Sequence, residues 1–287
     1  MKVAIIGAGA IGKLLAAYYA QQHEVIMVVR REEQARAIMN NGITKLTPTQ
    51  CVNYRVQATT TLPKADIYFV TVKFYHLMAL QPLLQQVTTI LVFLQNGLAH
   101  QSFAQQFSCE VLVGTLTVGA ETKDDTTVYE RGAGTMKLSA PQQHIIWQLT
   151  SEALPISYVA DVNEVLWQKA MLNSLINPLT ALLDLPNGEL ITNKHAFHLL
   201  KTIYEELITA FPDKKHLVGF EDVVQLCHNT AMNTSSMRAD FLARRPSELS
   251  TIVGAILQEA LNQQQVLPTL RTLYYALLAI EERRASE

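Results

Sequence analysis

Residues 1–33 read MKVAIIGAGAIGKLLAAYYAQQHEVIMVVRREE and contain the pattern on which the fold prediction depends. Lys2–Ile6 is a short apolar run typical of a buried strand, Ala10–Gln21 has the spacing of a helix, and Glu24–Val29 is a second apolar run. Glycines occupy positions 7, 9 and 12, between the first strand and the helix. This order of elements predicts a βαβ unit within a parallel sheet.

The glycines form the motif G-x-G-x-x-G at the strand-to-helix turn. In such a turn the first glycine permits the tight bend, the second lets a pyrophosphate approach the backbone, and the third lets helix and strand pack closely. The helix N-terminus presents free N–H groups to the phosphates. We therefore predict a dinucleotide site formed by Gly7, Gly9, Ala10, Ile11 and Gly12. The alternative interpretation is that the glycines serve packing alone.

The residues that follow the second strand indicate which dinucleotide binds. NAD-specific units usually carry an acidic residue about 20 residues after the glycine motif, to bind the ribose 2′-hydroxyl. Here the chain has Arg30 and Arg31, and a guanidinium can bind a 2′-phosphate with two hydrogen bonds. We predict NADPH, with Arg30 as the main contact. In the alternative interpretation both arginines are solvated and Glu32 binds the ribose.

The rest of the chain falls into two regions of different pattern. Further strands are predicted up to about residue 160, at Asp66–Val72, Thr89–Leu94, Glu110–Leu116, Thr127–Glu130, Thr135–Leu138 and Ile156–Val159, the last three antiparallel at the sheet edge. Beyond that point helical spacing dominates, over Glu164–Leu183, Lys194–Phe211 and an apolar stripe from Leu249 to Leu261. We predict an α/β protein with a Rossmann-type, doubly wound NADP(H)-binding domain at residues 1–160, followed by an all-α substrate and catalytic domain at residues 161–287.

Composition excludes several other classes. The chain has 287 residues and a formal net charge of −2, without the basic surplus of a nucleic-acid-binding protein. No apolar run reaches the roughly 18 residues of a membrane span. Cys51, Cys109 and Cys227 are too scattered for a disulfide framework or a metal cluster, so we expect buried thiols and no metal. A soluble, cytoplasmic protein is expected, and the last helices are apolar enough for either a homodimer contact or an intramolecular core.

A lysine lies in an otherwise apolar helical stretch. Lys169, Asn173 and Asn177 are spaced i, i+4 and i+8, so they share one helical face. Burial would lower the pKa of the lysine, and such a lysine can deliver a proton to a carbonyl group while a hydride arrives. The alternative is a lysine on a core helix whose charged end reaches solvent.

With these residues the chain resembles the ketopantoate reductase (2-dehydropantoate 2-reductase) family. The resemblance runs in order through most of the chain, in GAGAIG, Thr71-Val72-Lys73, Gln95-Asn96-Gly97, Leu166–Lys169, Asn173–Ala181, Pro186–Leu190, Ser235–Met237 with Asp240, and Glu248. It implies an oxidoreductase that uses NADPH to reduce a 2-keto acid by hydride transfer, with ketopantoate as the default substrate and pantoate as the product, a step of pantothenate biosynthesis.

The resemblance also implies a role for individual side chains. Carried over position by position, it assigns Lys169 as the general acid and Glu248 as the carboxylate near the substrate hydroxyl. It assigns Asn173, Asn177 and Ser236 as substrate ligands and Arg30 as the ligand of the 2′-phosphate. Lys73 and Asn96 are assigned to the nicotinamide end of the cofactor, and Asn96 is also a candidate substrate ligand. The chain departs from the family pattern at Glu130, Ser250 and Val253. These departures leave open a reductase of the same family with a different 2-keto acid. A non-catalytic NADPH-binding sensor is a further alternative, because fold alone does not fix function.

Overall fold

The computed structural model describes residues 1–286, which divide into two compact units. The first unit consists of Met1–Gln95 and His100–Val162, and the second of Asn96–Ala99 and the chain from Asn163 onward. The sequence-based ranges put Asn96–Ala99 in the first domain, whereas these four residues group with the helices. Within this segment Leu98 packs against the apolar core of the helical unit. Glu287, the last residue of the predicted helical domain, lies outside the described residues.

A mixed ten-stranded sheet forms the centre of the first unit. Its strands are β1 (Lys2–Ile6), β2 (Glu24–Val28), β3 (Ile43–Leu46), β4 (Cys51–Tyr54), β5 (Gln57–Thr59), β6 (Ile67–Val70), β7 (Ile90–Phe93), β8 (Glu110–Thr122), β9 (Thr127–Leu138) and β10 (Ile156–Tyr158). They follow the order β4-β3-β9-β8-β7-β6-β1-β2-β5, and β10 pairs with β9. The run from β5 through β2, β1, β6 and β7 to β8 is entirely parallel.

Both faces of the central parallel strands β1, β2, β6 and β7 are buried, which is why their sequences are largely apolar rather than alternating. In β1, Val3 and Ile5 belong to one core cluster while Ala4 and Ile6 belong to another. Helices of this unit are α1 (Ala10–Tyr19), α2 (Glu32–Asn41), α3 (Leu77–Leu84) and α4 (His100–Ala104), with 3₁₀ turns at Phe74–His76 and Ile145–Leu149. This arrangement confirms the predicted α/β fold class with its largely parallel N-terminal sheet.

The second half of the sheet differs from the prediction. The two predicted strands at Thr127–Glu130 and Thr135–Leu138 are one continuous strand, β9, which pairs antiparallel with β8. This strand lies inside the sheet rather than at its edge, and β10 is parallel to it rather than antiparallel. Gly132 and Gly134 interrupt the apolar pattern of β9, and a register shift in the β8–β9 pairing accommodates that segment.

Glu130 of β9 lies at the centre of a small polar cluster. Tyr18 of α1 donates its hydroxyl to Glu130 Oε1 at 2.5 Å, and Lys45 of β3 pairs with Glu130 Oε2 at 2.8 Å. The lysine ammonium also lies 4.9 Å from the centroid of the Tyr18 ring. The glutamate that departs from the family pattern therefore ties α1 and β3 to β9.

The second unit is helical throughout its described length. Its helices are α5 (Val162–Leu183), α6 (Glu189–Thr192), α7 (Lys194–Ala210), α8 (Phe220–Asn229), α9 (Ser236–Leu242), α10 (Ala255–Asn262) and α11 (Pro268–Ser286), with a 3₁₀ turn at Pro212–Leu217 and a π-helical turn at Ser250–Gly254. They enclose one apolar core, which includes Leu175 of α5, Leu207 of α7 and Ile256 of α10. Val253 of the π-helical turn is fully buried in that core.

The cysteines do not share one environment. All three are free thiols, but Cys51 is exposed, Cys109 is partly exposed and Cys227 is buried, so the expectation of buried thiols holds only for the last. Within residues 1–286, no group of three or more His, Cys, Asp or Glu residues is placed to hold a metal ion. Over the same residues, no helix has the length and apolar character needed to span a membrane.

Candidate active site

The glycine turn between β1 and α1 has the backbone geometry that the sequence motif requires. Gly7 has φ +109°, a conformation that favours glycine, and a Cβ there would come 2.7 Å from Val72 Cγ1. A Cβ at Gly12 would overlap the carbonyl oxygen of Gly7. Thr71, just beyond β6, donates its hydroxyl to the carbonyl oxygens of Ile6 and Gly7 at 3.0 and 3.1 Å. Strand, turn and helix are therefore packed too closely for side chains at positions 7 and 12.

Gly9 differs from these two glycines because nothing lies near its missing side chain. No atom of the described chain comes within 4 Å of a Cβ built at Gly9, which caps α1 without a side-chain hydrogen bond. The first turn of a helix leaves backbone N–H groups without intrahelical partners, and here those groups belong to Ala10, Ile11 and Gly12. Open space in front of free N–H groups suits a pyrophosphate, so this turn fits a dinucleotide.

Basic side chains follow β2 and β6, two strands of the same parallel sheet. Arg30 is exposed just after β2, and no acidic residue among residues 1–286 forms an ion pair with it. Lys73 follows β6 and precedes the 3₁₀ turn that contains His76. Burial, followed by the positive charges of Arg30 and Lys73, lowers the pKa of His76. The carboxyl ends of β2 and β6 therefore carry a cationic surface that suits a phosphate group.

The two residues after Arg30 have other partners. Arg31 is the N-cap of α2, and its guanidinium donates to the carboxylate of Asp125. Glu32, the first residue of α2, accepts a hydrogen bond from the hydroxyl of Thr60. Since Arg31 and Glu32 are both engaged by protein groups, Arg30 is the residue here with a cationic group available to a ligand.

In the helical unit, Lys169 and Glu248 form the second set of predicted site residues. Lys169 lies in the middle of α5 with part of its surface exposed. Burial lowers the pKa of Lys169 to about 8, and the nearby negative charge of Glu248 offsets part of that shift. A lysine with a pKa near 8 is mostly charged at neutral pH and releases its proton more readily than an exposed lysine.

Asn96 holds the carboxylate of Glu248 in place. Its side-chain amide Nδ2 donates to Glu248 Oε2 at 2.9 Å. The next residue, Gly97, has φ +80°, and a Cβ there would overlap the carbonyl oxygen of Thr251 in the π-helical turn. The backbone carbonyl of Glu248 accepts hydrogen bonds from the N–H groups of Thr251 and Ile252 at 3.2 and 3.0 Å. Close approach of the Asn96-Gly97 segment to the π-helical turn thus brings amide and carboxylate together.

The remaining predicted substrate ligands lie on α5 and α9. Asn173 is partly exposed and Asn177 is 6% exposed, both on the helix that carries Lys169. Pro178 follows Asn177 without ending α5, which continues to Leu183. Ser236 is exposed at the first position of α9. Its neighbour Ser235 caps α9 and lies 2.7 Å, hydroxyl to hydroxyl, from Thr180 of α5, so the helices that carry these side chains are joined beside them.

One functional candidate, Lys13, escaped the sequence interpretation. Lys13, the residue after the glycine motif, is fully buried and donates to the backbone carbonyl of Asp124. Burial lowers the pKa of Lys13 to about 8, against the opposing effects of Asp124 and Asp125. The available signal was a charged residue within the apolar helix AIGKLLAAYY. Its partner, 111 residues along the chain, could not be found from spacing.

Comparisons with known proteins show the family to which the chain belongs. The family model for ketopantoate reductase PanE/ApbA matches residues 3–143, and the model for its C-terminal region matches residues 161–281. The chain belongs to the ketopantoate reductase family. A 2-dehydropantoate 2-reductase from Listeria innocua is 34% identical over 298 residues, covering 99% of this chain and 98% of the relative.

Solved structures of family members share the fold. A crystal structure of a probable 2-dehydropantoate 2-reductase from Bacillus subtilis has a TM-score of 0.88 and 32% identity, covering 98% of this chain and 100% of that one. A dimeric ketopantoate reductase from Staphylococcus aureus has a TM-score of 0.79 at 20% identity, covering 99% of this chain and 100% of that one. The family recognised from sequence motifs is confirmed.

Proposed function

We propose that this chain reduces 2-dehydropantoate to pantoate with NADPH, a step of pantothenate biosynthesis. The observation that carries the proposal is the Lys169–Glu248–Asn96 arrangement, in which a lysine with a pKa of about 8 lies near a carboxylate that an amide holds at 2.9 Å. When bound, NADPH supplies the hydride that adds to the keto carbon. The protein must then stabilise and protonate the oxygen that becomes negatively charged.

Lys169 is the group that meets this requirement. As an ammonium it stabilises the developing alkoxide and then transfers a proton from Nζ to the alkoxide oxygen. Glu248 favours the charged form of Lys169, and Asn96 keeps the carboxylate oriented. Asn173 and Asn177 offer amides along the same helix to the hydroxyl groups of the substrate, and Ser236 offers a hydroxyl to its carboxylate.

The cofactor site is proposed from the first unit. The N–H groups of Ala10, Ile11 and Gly12 bind the pyrophosphate, Gly7 and Gly9 leave room for it, and Arg30 binds the 2′-phosphate. Lys73 contributes a further positive charge after β6. Because no acidic side chain among residues 1–286 pairs with Arg30, its full charge is available to the phosphate.

The departures from the family pattern do not favour a different substrate. Val253 is buried in the core of the helical unit, and Glu130 belongs to the cluster with Tyr18 and Lys45. Ser250 is exposed, with its hydroxyl 3.4 Å from that of Tyr274. Val253 and Glu130 are engaged by other groups of the protein and Ser250 keeps a polar side chain, so 2-dehydropantoate is kept as the substrate.

A steady-state assay tests the proposal. Loss of NADPH absorbance is followed with 2-dehydropantoate and with a panel of other 2-keto acids, and each reaction is repeated with NADH. We expect the highest kcat/KM for 2-dehydropantoate with NADPH. A higher value for another keto acid would identify a different reductase, and NADPH binding without turnover on any keto acid would identify a sensor.

Replacement of the lysine tests the mechanism. Lys169→Ala should lower kcat by about 10²- to 10⁴-fold, the usual contribution of a general acid, while NADPH still binds. Lys201→Ala, at an exposed position on α7, is the matched control and should leave kcat unchanged. Normal turnover by the Lys169 variant would remove this residue from the mechanism.

Assembly and location complete the proposal. We propose a homodimer, supported by the dimeric state named for the Staphylococcus aureus structure, and sedimentation equilibrium measures it directly. A cytoplasmic location is proposed because a reductase of this kind draws on the NADPH pool there. Fractionation of cells that produce the protein would test that location.

A further inference from the structure

The turn between β8 and β9 has a defined shape. Residues Lys123–Thr126, which we call the hairpin tip, connect the two strands. Asp124 Oδ1 accepts hydrogen bonds from the N–H groups of Thr126 and Thr127 at 2.8 and 2.7 Å. The carbonyl of Thr126 accepts from the N–H of Thr44 at 2.9 Å, which joins the tip to β3. The tip is therefore a fixed structure rather than a free loop.

The hairpin tip contacts the starts of both helices of the nucleotide-binding unit. The ammonium of Lys13, in the first turns of α1, donates to the carbonyl of Asp124. The guanidinium of Arg31, at the N-cap of α2, donates to the carboxylate of Asp125. Gln34 of α2 also donates to the carbonyl of Asp125 at 3.4 Å. One turn thus holds the segment after the glycine motif and the segment after β2.

The contact with Arg31 affects the direction of Arg30. The backbone at Arg31 is extended, with φ −103° and ψ +130°, and Arg30 lies in a bend directly before it. Holding the Arg31 guanidinium at the hairpin tip therefore fixes the backbone from which the Arg30 side chain leaves. Burial and, after it, the positive charge of Arg30 lower the pKa of His76, in the turn after β6.

The stability gained from the Arg31–Asp125 ion pair is a poor explanation for its presence. The two side chains are 49% and 44% exposed, and ion pairs at such exposure contribute little to the free energy of unfolding. A fixed direction for the neighbouring arginine is a stronger reason, because a guanidinium binds a phosphate well only in the right orientation. We propose that Asp125 is a positioning residue for NADPH, which acts through Arg31 to direct Arg30 at the 2′-phosphate. This proposal rests on the proposed use of NADPH.

Binding titrations with the two cofactors test it. The dissociation constants of NADPH and NADH are measured by the fluorescence of the nicotinamide ring, so the result does not depend on turnover of any keto acid. Asp125→Asn should weaken NADPH by about 5- to 10-fold, which is part of the contribution of a charge-assisted hydrogen bond, and change NADH by less than about 2-fold. In the assay with 2-dehydropantoate, KM for NADPH should rise while kcat stays unchanged.

A double-mutant cycle separates the positioning role from a general loss of structure. Arg31→Ala should reproduce the effect of Asp125→Asn, and the double variant should be no weaker than either single one. Asp125→Glu, which keeps the charge, should recover part of the NADPH affinity. Glu121→Gln is the control, because Glu121 lies on the same hairpin and pairs with Lys123 and Arg131. It should change neither dissociation constant.

Each result of the binding titrations has a separate interpretation. Equal weakening of NADPH and NADH by Asp125→Asn would show a structural role and overturn the proposal, as would unchanged binding of both. If wild-type protein binds NADPH and NADH equally well, the proposed cofactor preference itself has failed. If it prefers NADPH and the Asp125 variant keeps that preference in full, only the positioning role has failed.

Discussion

The two lysines with lowered pKa values show what spacing along the chain can and cannot reveal. Lys169 was predictable because two amides follow it at helical intervals within an apolar stretch. Lys13 was not, because the carbonyl that it contacts belongs to a turn 111 residues away. The same limit applied to Asn96, whose sequence suggests a turn and whose structure gives a hydrogen bond to Glu248 across 152 positions. The sequence shows which side chains are present at these positions, but it does not show which groups they contact.

The pKa of Lys169 predicts the pH dependence of turnover. Burial lowers this pKa to about 8, and only the ammonium form can donate the proton. The charged form predominates below pH 8 and is lost above it, so kcat should be constant at lower pH and fall about tenfold per pH unit well above 8. A profile of kcat against pH at saturating NADPH and keto acid measures this limb. A kcat that stays constant to pH 10 would contradict the assignment.

The charge of Glu248 should determine the pH at which kcat begins to fall. Its negative charge raises the pKa of Lys169, so removing the charge with Glu248→Gln should move the falling limb to lower pH. Glu205→Gln, an exposed change on α7, is the control and should leave the limb at its original pH. A shift of the limb to higher pH in the Glu248 variant would be incompatible with this electrostatic coupling.

At the scale of elements, the buried parallel strands were predictable and the polar ones were not. The apolar runs of β1, β2, β6 and β7 were located to within two residues at each end. The strands β3, β4 and β5 were missed, because ITKL, CVNY and QAT are short and carry polar residues. Such segments become strands through the neighbours with which they pair rather than through their own propensity. Hence both ends of the strand order were incomplete in the prediction.

The contact between the Asn96-Gly97 segment and the π-helical turn predicts a large effect of one methyl group. Gly97→Ala must adopt φ +80° and also overlap the carbonyl of Thr251, so we expect a loss of at least about 2 kcal/mol in the free energy of unfolding. Urea denaturation measures it. Gly132→Ala is the control, since nothing lies within 4 Å of a Cβ there, and it should change stability by less than about 0.5 kcal/mol. Equal stabilities for the two variants would rule out this tight packing.

The Glu130 cluster predicts a comparable effect in β9. Lys45 and Glu130 are only 13% and 12% exposed, so Glu130→Ala leaves a nearly buried ammonium without its partner and should cost about 3–5 kcal/mol. Glu121→Ala, on β8, breaks pairs that are much more exposed and should cost no more than about 1 kcal/mol. Chemical denaturation of both variants tests the difference. A loss below 1 kcal/mol for Glu130→Ala would mean that the cluster is not a stabilising one.

For the molecule as a whole, the change of sequence pattern near residue 160 was sufficient to predict a sheet-containing half followed by a helical half. Periodicity and the family motifs together were sufficient for the fold class, because each unit has its own core. They could not show that Asn96–Ala99 groups with the helices, since that depends on packing around Leu98 and Gly97.

Cofactor binding should stabilise the whole protein selectively. At a free concentration about 100 times its Kd, NADPH should add about 2.7 kcal/mol to the free energy of unfolding. NADH at the same concentration should add less, because Arg30 then has no 2′-phosphate to bind. Thermal or urea denaturation with each cofactor measures the difference, and Arg30→Ala should abolish it. Equal stabilisation of the wild-type protein by both cofactors would argue against a 2′-phosphate site at Arg30.

The uneven environments of the cysteines give the chain an internal reporter. Cys51 on β4 is exposed and should react with a thiol reagent at once, whereas Cys227 is buried in α8, where burial raises the pKa of its thiol to about 11. Modification of Cys227 therefore has to wait until the helices around it separate. The rate of that slow labelling step therefore measures how often the helices of the second unit open, and no engineered probe is needed.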